Sequence, residues 1–261
     1  MPDLSIILPT CDRAPLLERA LAAIEQTVRR PHEVIVVDGA SSDGTANVLA
    51  RAKAWMGDRL RVIREDRREG FVRAANMGFR AARGRFVTWL NDDVRPLDGA
   101  LDSALAQLES SPADVGVVAL FHRWHDQRNI AYEFSTRGAT YRLCHVRGTL
   151  YANFGVARRE TFARLGFFDE RYFFCAADPD FSLKAWHAGL RVVPAYGAAV
   201  DHDEHDDDRR STDAVRADAD NRKLFAKWDL PPKNARFNDF DAARPCTLRG
   251  PRTAAPLDEA A

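Results

Sequence analysis

The segment GFVRAANMGFRAARGRFVTWLNDDV, residues 70–94, carries a helical pattern, a strand pattern and a polar end in direct succession. Val72, Ala75, Phe79 and Ala82 recur at spacings of three or four, the period of a helix with one apolar face. RFVTWL, 85–90, is a short apolar run rich in β-branched and aromatic residues and reads as a buried strand. The run stops on Asn91, Asp92 and Asp93. Taken alone, that cluster is either a polar turn or a cation site, and the rest of the chain has to decide between them.

The same alternation extends upstream. SIIL (5–8), VIVV (34–37) and RVIR (61–64) read as strands, separated by helical patterns with Leu17, Ala20, Leu21 and Ile24 on one face and Val48, Ala52 and Trp55 on another. Pro15 suits the first turn of the first helix. Strands alternating with helices predict an α/β fold with a parallel sheet and crossover helices. Ligands of such sheets sit outside the carboxyl ends of the strands. Those ends here are PTCDR, DGASSDGT, EDRREG and NDD, all polar or small. Within the second of them, Asp43 reads as a helix N-cap. Beyond about residue 115 the pattern loosens. VGVVAL reads as a strand, 122–147 as irregular or antiparallel pieces, 156–165 as a helix, and Asp178-Pro179 as the opening of another. RVV (191–193) reads as a strand and 212–228 as a last helix, followed by a tail rich in Pro, Ala and Arg.

Composition bounds the function. The 261 residues are 46% hydrophobic, ample for a core, and 38 Lys+Arg balance 38 Asp+Glu, so no bulk field recruits a nucleic acid. Cys11, Cys144, Cys175 and Cys246 are far apart and form no C-x-x-C pair, which argues against a zinc knuckle and fits a reducing cytosol. No apolar run approaches the roughly 18–20 residues of a spanning helix, although the chain could rest on a membrane surface. DHDEHDDD (201–208) holds two histidines among carboxylates but lacks the H-E-x-x-H order of a zinc hydrolase.

SIILPTCDR, VIVVDGASSDGT, the segment quoted first and GFFDERYFFCAADPDFSLKAWHAGLRVV, in that order, resemble the nucleotide-sugar glycosyltransferases of family 2. The likeness runs from about residue 4 to about residue 205. It implies the GT-A fold, a Rossmann-like, mostly parallel central sheet flanked by helices. Residues 1–95 would form the nucleotide-sugar-binding half, 96–230 the acceptor-binding and catalytic half of the same domain, and 231–261 a C-terminal tail.

Site residues follow from the same resemblance. Asp38 matches the carboxylate that accepts from a ring N–H of the base, and the next position, usually a second acid, is Gly39. Thr10 and Arg13 follow strand one, where the family touches the nucleotide, and Gly70 and Asn76 match its glycine and asparagine, with Asn76 preferred over Arg73. NDD matches the D-x-D motif with Asn91 in place of its first acid, so Asp92 is the sugar or ribose contact and Asp93 a metal ligand. His202, rather than His205, fits a further metal ligand. Asp178 matches the catalytic base, with Ala177 replacing the usual Glu, although Asp178 is also well placed to cap the helix and Asp180 to favour its dipole. A single base opposite the leaving group implies inversion at the anomeric carbon.

The expected reaction is Mg²⁺- or Mn²⁺-dependent transfer of a sugar from a UDP-, dTDP- or GDP-linked donor to a carbohydrate or lipid-linked acceptor hydroxyl, in bacterial polysaccharide or envelope glycan synthesis. The expected place is the cytoplasm or the inner face of the membrane, with no nucleic-acid partner. Two rivals remain. A nucleotidyltransferase would want a Gly-rich, Lys-containing loop after strand one, and PTCDRAP is neither. A catalytically silent scaffold that binds nucleotide-sugar is suggested by Gly39, Asn91 and Ala177.

Overall fold

The computed structural model of the protein describes residues 1–123, 129–203 and 208–230, with side chains in the last stretch described from residue 216. His205 and the tail expected over 231–261 lie outside the described residues. In chain order the first elements are β1 (Leu4–Thr10), α1 (Ala14–Thr27), β2 (His32–Asp38), α2 (Thr45–Met56), β3 (Leu60–Arg64), α3 (Phe71–Ala81), β4 (Phe86–Trp89), β5 (Val94–Pro96) and α4 (Ala100–Ser110). There follow β6 (Val115–His122), β7 (Ile130–Thr136), β8 (Ala139–Val146), β9 (Thr149–Tyr151), β10 (Gly155–Arg158), α5 (Arg159–Arg164), α6 (Ala177–His187), β11 (Arg191–His202) and α7 (Asp208–Trp228).

The sheet runs β3-β2-β1-β4-β10-β6-β11-β5, with its first four strands parallel. Every residue of β1, β2 and β4 is buried, as a sheet covered by helices on both faces requires. Thr10, Asp38 and Arg64 stand in register, so the segments leaving β1, β2 and β3 emerge side by side. The chain passes from β1 to β2 on one side, and from β3 back to β4 on the other. The topological switch point, where such sheets open a crevice, therefore lies between β1 and β4.

The second half departs from the parallel pattern. β10 lies antiparallel between β4 and β6, β11 runs parallel to β6, and β5 closes the far edge antiparallel to β11. β7 and β8 form an antiparallel hairpin, extended by β9, which matches the antiparallel pieces expected over 122–147.

Three expectations need correction. The first residues of the helix expected over 156–165 are β10, because GVAR is buried on both faces between β4 and β6, and a short apolar run does not by itself separate strand from helix. The strand expected over 191–193 continues to His202 through an irregularity between Pro194 and Ala199, where proline suggests a break. Trp55 is 45% exposed. The buried stripe of α2 is Thr45, Val48, Leu49, Ala52 and Met56, and at about 100° per residue Trp55 falls roughly 80° from its centre.

An aromatic core sits under the crevice. Trp89, at the end of β4, makes edge contacts with Phe79 of α3, Phe162 of α5, Phe168 and Phe181 of α6, while Phe162 and Phe181 stack at 3.9 Å between ring centroids. Its indole Nε1 donates to the Asn153 carbonyl at 2.7 Å, satisfying the one polar group of a fully buried side chain. This cluster ties α3, α5 and α6 to the strand that ends in the acidic turn.

Candidate active site

The turn after β4 is tight: Val94 N–H donates to the Asn91 carbonyl and Leu90 N–H to that of Ile7. It buries both acids, Asp92 at 3% and Asp93 at 6% exposure. Asp92 Oδ2 accepts from Thr10 Oγ1 at 2.8 Å and Asp92 Oδ1 from Arg13 Nη1 at 2.7 Å. The same Nη1 reaches Asp93 Oδ2 at 3.0 Å, and Asp93 Oδ1 lies 3.3 Å from His202 Nε2. Burial alone would raise the Asp93 carboxyl, but the His202 hydrogen bond and the charges of His202 and Arg13 outweigh it and bring it down to about 2. His202 arrives at the end of β11, and the bond from Asp203 N–H to the Asp93 carbonyl fixes that strand end against the acidic turn.

These groups line one cavity of about 210 Å³. Thr10, Arg13, Gly70, Asp92, Asp93, Asp178 and His202 all contribute to its wall. Gly70 has φ 96, and a Cβ there would stand 2.6 Å from the Phe173 carbonyl oxygen. Only glycine lets the start of α3 approach the 173–175 loop so closely.

Asp178 does not cap its helix. α6 begins at Ala177, its N-cap is Ala176 in the left-handed region at φ 68, and no side chain caps it. The left-handed turn puts Asp178 in the first helical turn, facing the cavity instead of the backbone. Its Oδ1 is enclosed and has no hydrogen-bond partner among the described residues. Burial pushes its carboxyl well above the usual range, opposed only by the nearby Trp89 indole.

Two expected contacts are placed elsewhere. Asn76 is fully buried, but its amide is consumed in pinning the 168–170 segment: Nδ2 donates to the Phe168 carbonyl and Glu170 Oε1, and Oδ1 accepts from Phe168 N–H. Asp38 lies behind the wall, accepting from Ser41 N–H at 2.9 Å and pairing with Arg64 at 3.2 Å. Asp43 does brace helix starts, accepting from Thr45 N–H at the start of α2 and from Ala14 N–H at the start of α1.

Other lining residues escaped the sequence reading. Glu65 follows β3, is 6% exposed, and has an enclosed Oε1 without a partner among the described residues. Burial, reinforced by the charges of Glu69 and Asp38, pushes its carboxyl up. The place of EDRREG after a strand was the signal that could have found it. Asn153, whose Oδ1 is likewise enclosed without such a partner, precedes β10 and carries no motif. An enclosed polar atom left unpaired costs about 1–3 kcal/mol, a deficit that a ligand can remove.

The donor set suits a divalent cation chemically, two carboxylates and an imidazole nitrogen. It is not preassembled. Among the described residues no three His, Cys, Asp or Glu side chains converge on one point, and the Arg13 guanidinium bridges the two carboxylates.

Comparison with known proteins agrees with this architecture. The GalNAc(5)-diNAcBac-PP-undecaprenol beta-1,3-glucosyltransferase of Campylobacter jejuni is 34% identical over 139 residues, 53% of this chain and 44% of that protein. An O-antigen biosynthesis protein of Myxococcus xanthus is 27% identical over 234 residues, 82% of this chain and 18% of its own length. The chain thus spans less than half the length of these curated relatives. In fold it is similar to a mannosyltransferase from Pyrobaculum calidifontis solved with GDP-Man and Mn²⁺, with a TM-score of 0.67 at 23% identity over 89% of this chain and 65% of that one. Residues 5–166 match the model of glycosyl transferase family 2, so the chain belongs to that family and has its GT-A fold.

Proposed function

We propose that the protein transfers a sugar from a nucleoside-diphosphate donor to an acceptor hydroxyl, with inversion and with help from Mg²⁺ or Mn²⁺. The observation that carries this reading is one cavity holding both the carboxylates of Asp92 and Asp93, bridged by Arg13 and with Asp93 held down to about 2, and an enclosed carboxyl with high proton affinity, Asp178. A cation held by Asp93 and His202, with Asp92 beside it, would offset the charge that grows on the diphosphate as its bond to the sugar breaks. Asp178 takes the proton of the acceptor hydroxyl as that oxygen bonds to the anomeric carbon, and the electron pair of the old bond leaves with the diphosphate. A base and a leaving group on opposite faces of the sugar give inversion.

The strand order suggests how the donor lies. From β4 to β3 is three strand spacings of about 4.8 Å, about 14 Å in all, the reach of a nucleoside diphosphate. With the diphosphate at Asp92 and Asp93, the base reaches Gly39 and Glu65, and Glu65 then offers the enclosed oxygen to a base edge while Asp38 supports the turn behind it. The undecaprenol in the name of the Campylobacter relative favours a lipid-linked glycan acceptor for this chain. None of the described helices is long and apolar enough to cross a membrane, so such an acceptor would be met at the surface of the inner leaflet.

The test is a donor panel with Mn²⁺, scored for sugar release and transfer. Asp178→Asn should lower transfer by about 10² to 10⁴ while donor binding is kept. Glu65→Gln should flatten the preference among uridine, guanosine and adenosine diphosphates. Near-parent transfer by Asp178→Asn, or retained anomeric configuration, would overturn the mechanism.

A further inference from the structure

Arg13 lies between the carboxylates that a divalent cation would need. Its side chain is 10% exposed, those of Asp92 and Asp93 are 4% and 5%, and one nitrogen, Nη1, bridges them at 2.7 and 3.0 Å. Of the other two oxygens, Asp92 Oδ2 accepts from the Thr10 hydroxyl, and Asp93 Oδ1 is enclosed 3.3 Å from His202 Nε2. Two buried carboxylates this close do not both stay ionised without a cation between them. Between Asp92 and Asp93 the Arg13 guanidinium is that cation.

The backbone around Arg13 is braced. Asp12 N–H donates to Ser41 Oγ at 2.9 Å, Asp12 Oδ1 accepts from Ser42 N–H at 2.6 Å, and Arg13 itself is the N-cap residue of α1. With the backbone held, a change of partner at Arg13 would fall to its side chain.

We propose that Arg13 is a resident counter-cation, exchanged for the divalent metal only when a nucleoside diphosphate supplies an anion for the released guanidinium. This rests on the metal-dependent reading above. A metal ion entering alone would place three positive charges against two carboxylates in a site shielded from water, which is costly. When the diphosphate enters with it, the guanidinium gains phosphate oxygens, which its planar fork binds in pairs. Metal and diphosphate therefore bind together, and each binds weakly without the other. The same exchange keeps the two acids compensated at every stage, so the site never holds a bare pair of buried carboxylates.

The experiment is a titration with Mn²⁺, followed by the electron paramagnetic resonance signal of the free ion, with and without UDP or GDP, corrected for the complex Mn²⁺ forms with the nucleotide in buffer. For the parent protein, saturating nucleotide should tighten Mn²⁺ binding by about tenfold or more. Arg13→Gln should bind Mn²⁺ alone about tenfold more tightly than the parent and lose most of that coupling, whereas Arg13→Lys, which keeps a cation, should retain it. If Arg13→Gln binds Mn²⁺ no better than a parent that does bind it with nucleotide, the exchange is wrong and the metal-dependent reading stands. If no form binds Mn²⁺ under any condition, both fall. Should Arg13→Gln unfold, rescue of its thermal transition by Mn²⁺ alone supports the exchange, and absence of coupling in the parent overturns it.

Discussion

Asp178 and Asp180 sit two residues apart at the start of α6 and have opposite fates. Asp180 is fully buried and saturated, accepting from Trp228 Nε1 at 2.7 Å, Lys227 Nζ at 2.9 Å and the Tyr172 hydroxyl at 3.3 Å. It anchors α7 and is a structural acid. Asp178 has an enclosed oxygen and faces the cavity. A carboxyl whose folded pKa lies above its unfolded value of about 3.9 contributes stability that is complete below that pH and is lost as pH rises through the folded value. Asp178→Asn should therefore melt above the parent at pH 7 to 8, with the gap closing toward acid. A gain of about 1 kcal/mol would show as about 2–4 °C in a chain of this size. A mutant that melts below the parent at pH 8 would show that Asp178 is paid for by contacts within the fold. The sequence revealed Asp92 and Asp93 because they end an apolar strand run, whereas His202 and Asp178 were legible only through the resemblance to family 2. It misjudged Asn76, since nothing local shows that a buried amide is already spent on Phe168 and Glu170.

At the scale of elements, the cavity wall depends on a helix none of whose described side chains lines it. Asp220 of α7, 1% exposed, accepts at Oδ2 from the N–H groups of Phe173, Phe174 and Cys175 at 3.0, 2.8 and 3.2 Å, and Lys223 Nζ pairs with its Oδ1 at 3.1 Å. Phe174 and Cys175 belong to the wall, beside Gly70 and Asp178. Asp220→Ala would leave three N–H groups without their carboxylate and should cost about 3 kcal/mol or more, read as a fall in the urea midpoint. Asp220→Asn keeps an acceptor oxygen and should lose less. Equal midpoints for Asp220→Ala and the parent would free α7 of this role. Elements of the first half were legible because each has an unmixed period, as in VIVV or Val72-Ala75-Phe79. In the second half β10 is too short to show a period, and Pro194 interrupts β11, so β10 and the continuation of β11 beyond residue 193 emerge only from pairing with β6.

Across the whole molecule, the site belongs to neither half of the chain. Thr10, Gly39, Glu65 and the Asp92–Asp93 turn come from the first four strands, while Asn153, Asp178 and His202 arrive from beyond residue 150, and the sheet joins the two sets through β10. A donor seated in the cavity must touch both, so binding should act as a clamp across the carboxyl end of the sheet. Its effect should be local to that end. A second concavity, lined by Arg85, Glu109, Arg158 and Arg159, is formed by residues flanking the start of β4, where Arg158 donates to the carbonyls of Val115 and Leu108. With balanced charge, no bulk field spreads the response further. Hydrogen exchange in the presence of Mn²⁺ with UDP or GDP should accordingly slow at residues 10–13, 65–70, 91–94, 173–178 and 200–203, and remain unchanged at 84–86 and 158–160. Ligand at 100 times its dissociation constant adds about 2.7 kcal/mol to global stability, so segments that exchange only by complete unfolding will slow as well. The informative amides are those that exchange by local opening. Protection there confined to residues 10–94 would mean that the donor is held by the first four strands alone, and that Asp178 and His202 engage only after the acceptor arrives.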